Sequence, residues 1–140
     1  MIVLDTNVIS ELMKPAPAES VLRWMSASPA ANLYTTSITQ AEILHGILLL
    51  PPGKRRNAFE LAAEAMFSDD FNGRILSFDS GAAHQYAKIA TMPHRSGRPI
   101  SQFDAQIAAI AFSAGAAIAT RNVKDFDLSG VKLINPWESR

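Results

Sequence analysis

The chain alternates short apolar runs, each too short for a helix, with longer segments that have the spacing of amphipathic helices. The predicted strands occupy residues 1–4, 33–36, 74–78, 116–119 and 131–134. The predicted helices occupy residues 6–12, 19–28, 39–50, 54–67, 81–91 and 101–114, and Gly115 is predicted to end the last of them. Strands that alternate with helices favour a parallel sheet covered by helices on its faces. The sequence therefore predicts one α/β domain over residues 1–140, an α/β/α sandwich with a mostly parallel central sheet.

The composition excludes several classes of protein. Because the chain has no cysteine, it has no disulfide framework, no zinc–thiolate site and no thiol nucleophile, which fits a reducing cytoplasm. Its first residues lack the basic region of a signal peptide, and the longest later apolar run, residues 47–50, is too short to span a bilayer. Thirteen basic residues balance thirteen acidic ones, so binding of a polyanion would depend on a local patch.

Asp5 comes directly after the first predicted strand, whose residues are apolar and β-branched. In open α/β sheets, ligands bind outside the carboxyl ends of the strands, so Asp5 is predicted to lie at a functional edge. The simpler interpretation is that Asp5 and Thr6 only end the strand and cap the following helix. The number of other carboxylates that reach the same edge decides between the two.

Two later acidic residues share a local pattern. At residues 39–42 and 101–104, a hydroxyl residue precedes a carboxylate by three positions, which is the capping-box spacing. Glu42 and Asp104 are therefore predicted to lie in the first turns of their helices. They could serve only as caps there. Alternatively, the helix dipole favours their ionised forms and they share one cleft with Asp5.

Three ionised carboxylates in one cleft repel each other, and a divalent cation relieves that repulsion. Oxygen ligands of this kind suit Mg²⁺ or Mn²⁺. Asn122, after another strand, offers an amide oxygen, and Asp125 could add a carboxylate. Such a site activates water for phosphoryl chemistry. The chain has neither a glycine-rich phosphate loop nor a nucleophile elbow, and its three histidines lack the spacing of a metal site.

Two further features are open to interpretation. Gly46 lies inside a predicted helix at a cost of roughly 1 kcal/mol against alanine, which indicates close approach of a neighbouring element. The basic residues 54–56 begin the next helix, and they are either a solvated face or a patch that faces phosphate.

The ordered set of motifs resembles the PIN-domain family, in particular VapC-type toxins of bacterial toxin–antitoxin pairs, close to their FitB-like branch. The motifs that carry the resemblance are residues 4–8, 39–42, 103–109, 119–126 and 134–137. The resemblance implies a ribonuclease that depends on Mg²⁺ or Mn²⁺, with Asp5, Glu42 and Asp104 as the three core acids and metal ligands. The fourth acidic position falls on Asn122, where many relatives have aspartate.

The departure at Asn122 implies weaker binding of a second metal, which Asp125 could compensate. Thr6 and Thr120 are weaker candidates for orienting ligands or water. The basic residues expected to contact RNA phosphates are Arg121, Lys124, Arg95 and Arg98. The resemblance also implies a homodimer and a cognate VapB-type antitoxin that blocks the acidic cleft, with promoter DNA bound only through the antitoxin.

Two other functions compete with this one. A phosphatase with an aspartate nucleophile, of the haloacid-dehalogenase type, also begins with a strand and Asp5, but it needs an acid two residues later, where this chain has Asn7. A catalytically silent PIN module would act only through an antitoxin and promoter DNA. The missing charge at Asn122 is the feature that favours the silent module.

Overall fold

A computed structural model describes residues 1–93, 97–127 and 129–138. Within these residues, five strands form one all-parallel sheet in the order β3-β2-β1-β4-β5. The strands are β1 (Ile2–Leu4), β2 (Leu33–Thr36), β3 (Ile75–Leu76), β4 (Ala117–Ala119) and β5 (Leu133–Ile134). The predicted parallel α/β architecture is confirmed.

Six α-helices cover the two faces of the sheet in the described parts of the chain. They are α1 (Thr6–Leu12), α2 (Glu19–Ala27), α3 (Ser37–Leu48), α4 (Lys54–Ala65), α5 (Ser80–Thr91) and α6 (Gln102–Ser113). A π-helical segment, Met66–Asp70, extends α4, and short 3₁₀ turns occupy Ala30–Asn32 and Val123–Phe126. None of these helices is long and apolar enough to cross a membrane.

Strand β1 is the centre of the sheet and separates two apolar cores. Val3 packs into a cluster with residues of α5 and α6, whereas Leu4 packs with residues of α1 to α4. Successive residues of a strand point to opposite faces, so Val3 and Leu4 enter different cores. Both side chains are fully buried, because helices cover both faces of the sheet. The next residue, Asp5, donates its backbone N–H to the Ala119 carbonyl at 2.9 Å, which continues the pairing with β4. The central position of β1 thus places Asp5 in the middle of the carboxyl edge.

Helix α3 begins earlier than the sequence predicts. Thr36, the last residue of β2, is its N-cap, and the Thr36 hydroxyl accepts the backbone N–H of Thr39 at 3.1 Å. Glu42 therefore lies in the second turn, so the predicted capping box and its dipole argument are wrong for this residue. For α6 the cap is as predicted, because the Ser101 hydroxyl accepts the N–H of Asp104 at 3.1 Å and Asp104 lies in the first turn.

The two glycines of interest have different outcomes. The expected close approach at Gly46 is wrong, because a Cβ built there would meet no atom within 4 Å. Gly115 follows α6 with φ of 68°, a left-handed conformation that ends the helix as predicted.

Candidate active site

One cavity of about 420 Å³ lies at the carboxyl edge of the sheet, where Asp5 leaves β1. The predicted site residues that line it are Asp5, Thr6, Glu42, Asp104, Arg121 and Asn122. The residues of its wall to which the sequence assigned no role in the site are Asn7, Ser10, Glu11, Lys14 and Trp137. The structure thus brings all three predicted core acids to one cavity from β1, α3 and α6.

Asp5 is held rigidly, with 3% of its surface exposed. The backbone N–H of Thr6 donates to Asp5 Oδ1 at 2.8 Å. The Thr120 hydroxyl donates to Oδ2 at 2.8 Å, and Asn7 Nδ2 donates to the same oxygen at 3.1 Å. With three donors on its two oxygens, the Asp5 carboxylate has a fixed orientation toward the cavity.

Asn7 is a site residue that sequence reasoning missed. Its Oδ1 accepts the backbone N–H of Arg121 at 3.2 Å, and its Nδ2 lies 3.2 Å from the Thr120 hydroxyl. The Thr120 hydroxyl also accepts the N–H of Asn122 at 3.0 Å. Asn7 and Thr120 therefore connect the start of α1 to the loop after β4. A polar residue two positions after Asp5, near the same edge, was the available signal.

Glu42 is oriented by Thr6 rather than by a helix terminus. The Thr6 hydroxyl donates to Glu42 Oε1 at 2.8 Å, and the Thr39 hydroxyl lies 3.0 Å from the Thr6 hydroxyl. Because the Thr6 N–H binds Asp5, this one residue contacts two of the three acids.

Two of the acids are destabilised as anions. Burial raises the pKa of Asp5 from 3.8 to about 6; the charges of Asp104 and Glu42 add to the shift, and the hydrogen bonds from Thr120 and Thr6 oppose it. Burial also raises the pKa of Asp104 to about 6, with the charges of Asp125 and Glu42 adding and the Ser101 hydroxyl opposing. A cation in this cavity would relieve both the desolvation and the mutual repulsion.

The donors suit a hard divalent cation. The predicted metal-binding residues that line this cavity are three carboxylates and the Asn122 amide, and all of them offer oxygen atoms. Oxygen atoms are the ligands that Mg²⁺ and Mn²⁺ prefer. In the described residues, no three Asp, Glu or His side chains already converge into a ligand cluster. An ion bound by one or two of these carboxylates and by water, as Mg²⁺ usually is, fits this arrangement.

Asp125 lies outside this cavity. It pairs with Arg98, whose Nη2 is 3.2 Å from Asp125 Oδ1, and it lines a neighbouring cavity of about 410 Å³. That second cavity also contains Lys124, and it shares Arg121 and Asn122 with the first. Asp125 is still close enough for its charge to raise the pKa of Asp104.

The predicted RNA contacts fall in different places. Arg121 lines both cavities and lies over the Trp137 ring, 5.1 Å from its centroid, whereas Lys124 and Arg98 line only the second cavity. Arg95 lies outside the described residues. In the basic segment 54–56, Arg56 pairs with Glu60 of the same helix at 2.9 Å, which favours the solvated-face interpretation.

Comparisons with known proteins identify the family of the chain. A family model for the PIN domain matches residues 2–128. The chain is 43% identical to VapC ribonuclease Y4jK of Sinorhizobium fredii, over 99% of each chain. It is 39% identical to Toxin FitB of Neisseria gonorrhoeae, over 98% of this chain and 99% of FitB.

A solved structure of FitAB bound to an IR36 DNA fragment contains a chain that matches this one with a TM-score of 0.91 and 38% identity. The match covers 100% of this chain and 98% of the other. The family model, the full-length identity and the shared fold agree, and the chain therefore belongs to the PIN-domain family, among its VapC- and FitB-like toxins.

Proposed function

We propose that this protein is the toxin of a type II toxin–antitoxin pair and acts as an endoribonuclease that depends on Mg²⁺ or Mn²⁺. The observation that carries the proposal is the placement of Asp5, Glu42 and Asp104 around one cavity, in a chain 43% identical to a VapC ribonuclease. The raised pKa values of Asp5 and Asp104 support it, because they indicate a site whose charges need a cation.

In this mechanism the chain supplies oxygen ligands whose orientation is fixed by hydrogen bonds. Asp5, held by three donors, is the anchored ligand, and Thr6 keeps Glu42 turned toward the same cavity. Asp104 completes the set from the first turn of α6, and Asn122 offers a neutral oxygen in place of a fourth acid. A divalent cation held by these residues would lower the pKa of a bound water and stabilise charge on the scissile phosphate.

The proposal includes partners. A VapB-type antitoxin would silence the toxin by placing a basic side chain against the three acids, where it would replace the charge of the metal. We further propose a cytoplasmic homodimer that reaches promoter DNA only through the antitoxin. The similarity to a chain of FitAB, solved in a complex with a DNA fragment, supports the proposed antitoxin and DNA.

The test is cleavage of a structured RNA pool by purified, antitoxin-free protein in Mn²⁺, in Mg²⁺ and in chelator. Asp104→Asn should abolish cleavage while the protein stays folded. Asp69→Asn, which neutralises an exposed carboxylate of the π-helical segment, is the matched control and should cleave normally. Cleavage that survives chelator, or that survives in Asp104→Asn, would contradict the proposal.

The silent-module function remains the second candidate, because Asn122 lacks the charge of a fourth acid. A normal antitoxin complex without RNA cleavage in any metal would support it. Asn122→Asp would then be expected to create activity. The phosphatase function is disfavoured, because Asn7 donates a hydrogen bond to Asp5 and cannot act as the required proton donor.

A further inference from the structure

We propose that Arg121, Lys14 and Trp137 form a subsite for the RNA phosphate adjacent to the scissile one. This inference rests on the proposed ribonuclease function and extends it to the way the strand is held. It assigns roles to Lys14 and Trp137, both of which line the same cavity as the three acids.

The cavity contains basic side chains that are not paired with its three predicted metal-binding acids, although Glu11, which also lines it, pairs with Lys14. Asp5, Glu42 and Asp104 line it together with Lys14 and Arg121. Among the described residues, neither basic side chain forms a salt bridge with any of the three acids. A cavity that can take a metal at its acids and also presents separate cations suits a polyanion with consecutive phosphates. One phosphate would meet the metal while the next meets the cations.

Arg121 is held in place from two sides. Its backbone N–H donates to Asn7 Oδ1, and Asn7 Nδ2 in turn donates to Asp5. The backbone of Arg121 is therefore fixed relative to Asp5. Its guanidinium lies 5.1 Å from the centre of the Trp137 ring. A guanidinium held on an aromatic face keeps its N–H groups for a phosphate and loses little side-chain entropy on binding.

Trp137 is itself anchored and therefore acts as a positioning residue. Its backbone N–H donates to Asn135 Oδ1 at 3.0 Å. Its ring packs against the core cluster that contains Leu4 and Ala119, the residues before Asp5 and Thr120. The Trp137 ring under Arg121 is thus packed on the ends of β1 and β4, the strands that are followed by Asp5 and Thr120.

Lys14 is held by a buried carboxylate on the other wall. Its Nζ lies 2.9 Å from Glu11 Oε1, and Glu11 Oε2 accepts the backbone N–H of Ala18 at 2.9 Å. The Glu11 side chain is 8% exposed, whereas that of Lys14 is 59% exposed. An ammonium group has three N–H donors, so Lys14 can keep this ion pair and still donate to a phosphate.

The test measures binding of a single-stranded RNA oligonucleotide in Ca²⁺ at several salt concentrations, and a denaturing gel of each sample establishes that the oligonucleotide stays intact. For single strands, each lost phosphate contact should lower the slope of log K against log salt by about 0.7. Arg121→Gln and Lys14→Gln should each show this loss. Lys132→Gln is the control, because it removes an exposed charge next to the amino end of β5, at the opposite edge of the sheet. This variant should keep the salt slope of the wild type.

Conservative variants separate a positioning role from a structural one. Lys14→Arg should keep the slope, and Trp137→Phe should keep more of the affinity than Trp137→Leu, because a ring remains under Arg121. With cleavable RNA, Arg121→Gln should raise KM more than it lowers kcat. Thermal melts of every variant establish that it is folded.

An unchanged salt slope in both Arg121→Gln and Lys14→Gln would overturn the subsite. If the wild-type protein in the same experiments still cleaves RNA and Asp104→Asn does not, the ribonuclease proposal stands and only the subsite fails. If the wild-type protein neither binds nor cleaves RNA, both proposals fail.

Discussion

Thr6 contacts two acids with two different donors, its backbone N–H to Asp5 and its hydroxyl to Glu42. Groups that orient metal ligands typically change metal affinity by about 10- to 100-fold when they are removed. Thr6→Val keeps the backbone donor and the shape of the side chain but loses the hydroxyl.

We expect Thr6→Val to weaken binding of Mn²⁺ by about tenfold or more, because the Glu42 carboxylate loses its fixed orientation. Titration calorimetry with Mn²⁺ measures the change directly. Thr6→Ser keeps the hydroxyl and is the matched control. Equal affinities in Thr6→Val and the wild type would show that Glu42 is not held by this hydrogen bond for metal binding.

The raised pKa of Asp104 predicts a stability effect whose sign can be worked out. In the folded, metal-free protein this pKa is about 6, against an ordinary aspartate value of 3.8. Between these values the folded state binds more protons, so this group destabilises the fold as pH rises from about 4 through 6. Because Asp104 is only partly buried, solvent screening reduces the effect below the roughly 3 kcal/mol that this pKa difference would give in full, so Asp104→Asn should stabilise the metal-free protein by about 1–2 kcal/mol at pH 7.5 and by almost nothing near pH 4.

Urea unfolding in chelator between pH 4 and pH 8 measures this difference. Adding Mn²⁺ at pH 7.5 should stabilise the wild type more than the variant, because the ion binds only the native state. A variant less stable than the wild type at pH 7.5 in chelator would contradict the prediction.

At the scale of elements, the way in which helices α3 and α6 begin sets the positions of Glu42 and Asp104. β2 runs into α3 without a loop, since Thr36 is both the last strand residue and the N-cap. α6 instead follows a separate cap at Ser101. Glu42 and Asp104 therefore reach the same cavity from different turns of their helices: Asp104 lies in the first turn of α6 and Glu42 in the second turn of α3, whereas Asp5 is itself the N-cap of α1.

Helix α3 also has a removable weakness at Gly46. A Cβ there would meet nothing, so Gly46→Ala should stabilise the protein by about 0.5–1 kcal/mol through the lower entropy of the unfolded chain. Gly115→Ala is the contrasting variant and should destabilise by about 1 kcal/mol or more, because φ is 68° there. Chemical denaturation measures the free energy of unfolding of both variants. Equal changes in the two would contradict the helical conformation given to Gly46 and the left-handed conformation given to Gly115.

At the scale of the whole molecule, charge is balanced but unevenly placed. The formal net charge at pH 7 is zero, while one neighbouring cavity is lined by three basic residues, Lys124, Arg98 and Arg121, and by two acidic ones, Asp125 and Glu138. Long-range attraction to nucleic acid is therefore weak, and affinity depends on these local groups.

We expect the free protein to give no shift of duplex promoter DNA at about 0.15 M salt, because its net charge supplies little non-specific attraction. The complex with its antitoxin should shift the same DNA. An electrophoretic mobility assay compares the two, and a shift by the free protein would contradict the proposed dependence on the antitoxin.

Local chemistry was readable from the sequence. The apolar runs, the Ser101 cap and the turn at Gly115 each depend on residues a few positions apart, and each is found where it was predicted. The same holds for Asp5 at a strand end, because the position of an acid after a buried strand follows from strand order alone.

The tertiary structure decided what the site residues contact. The bonds from Asn7 to Thr120 and from Asn7 to Arg121 join residues 113 and 114 positions apart, so no local pattern predicts them. The separation of Asp125 from the acids, and the stacking of Arg121 on Trp137, likewise depend on how distant segments pack. Sequence alone therefore determined the acids and the sheet, whereas packing determined which side chains orient them, because orientation is set by contacts between segments far apart in the chain.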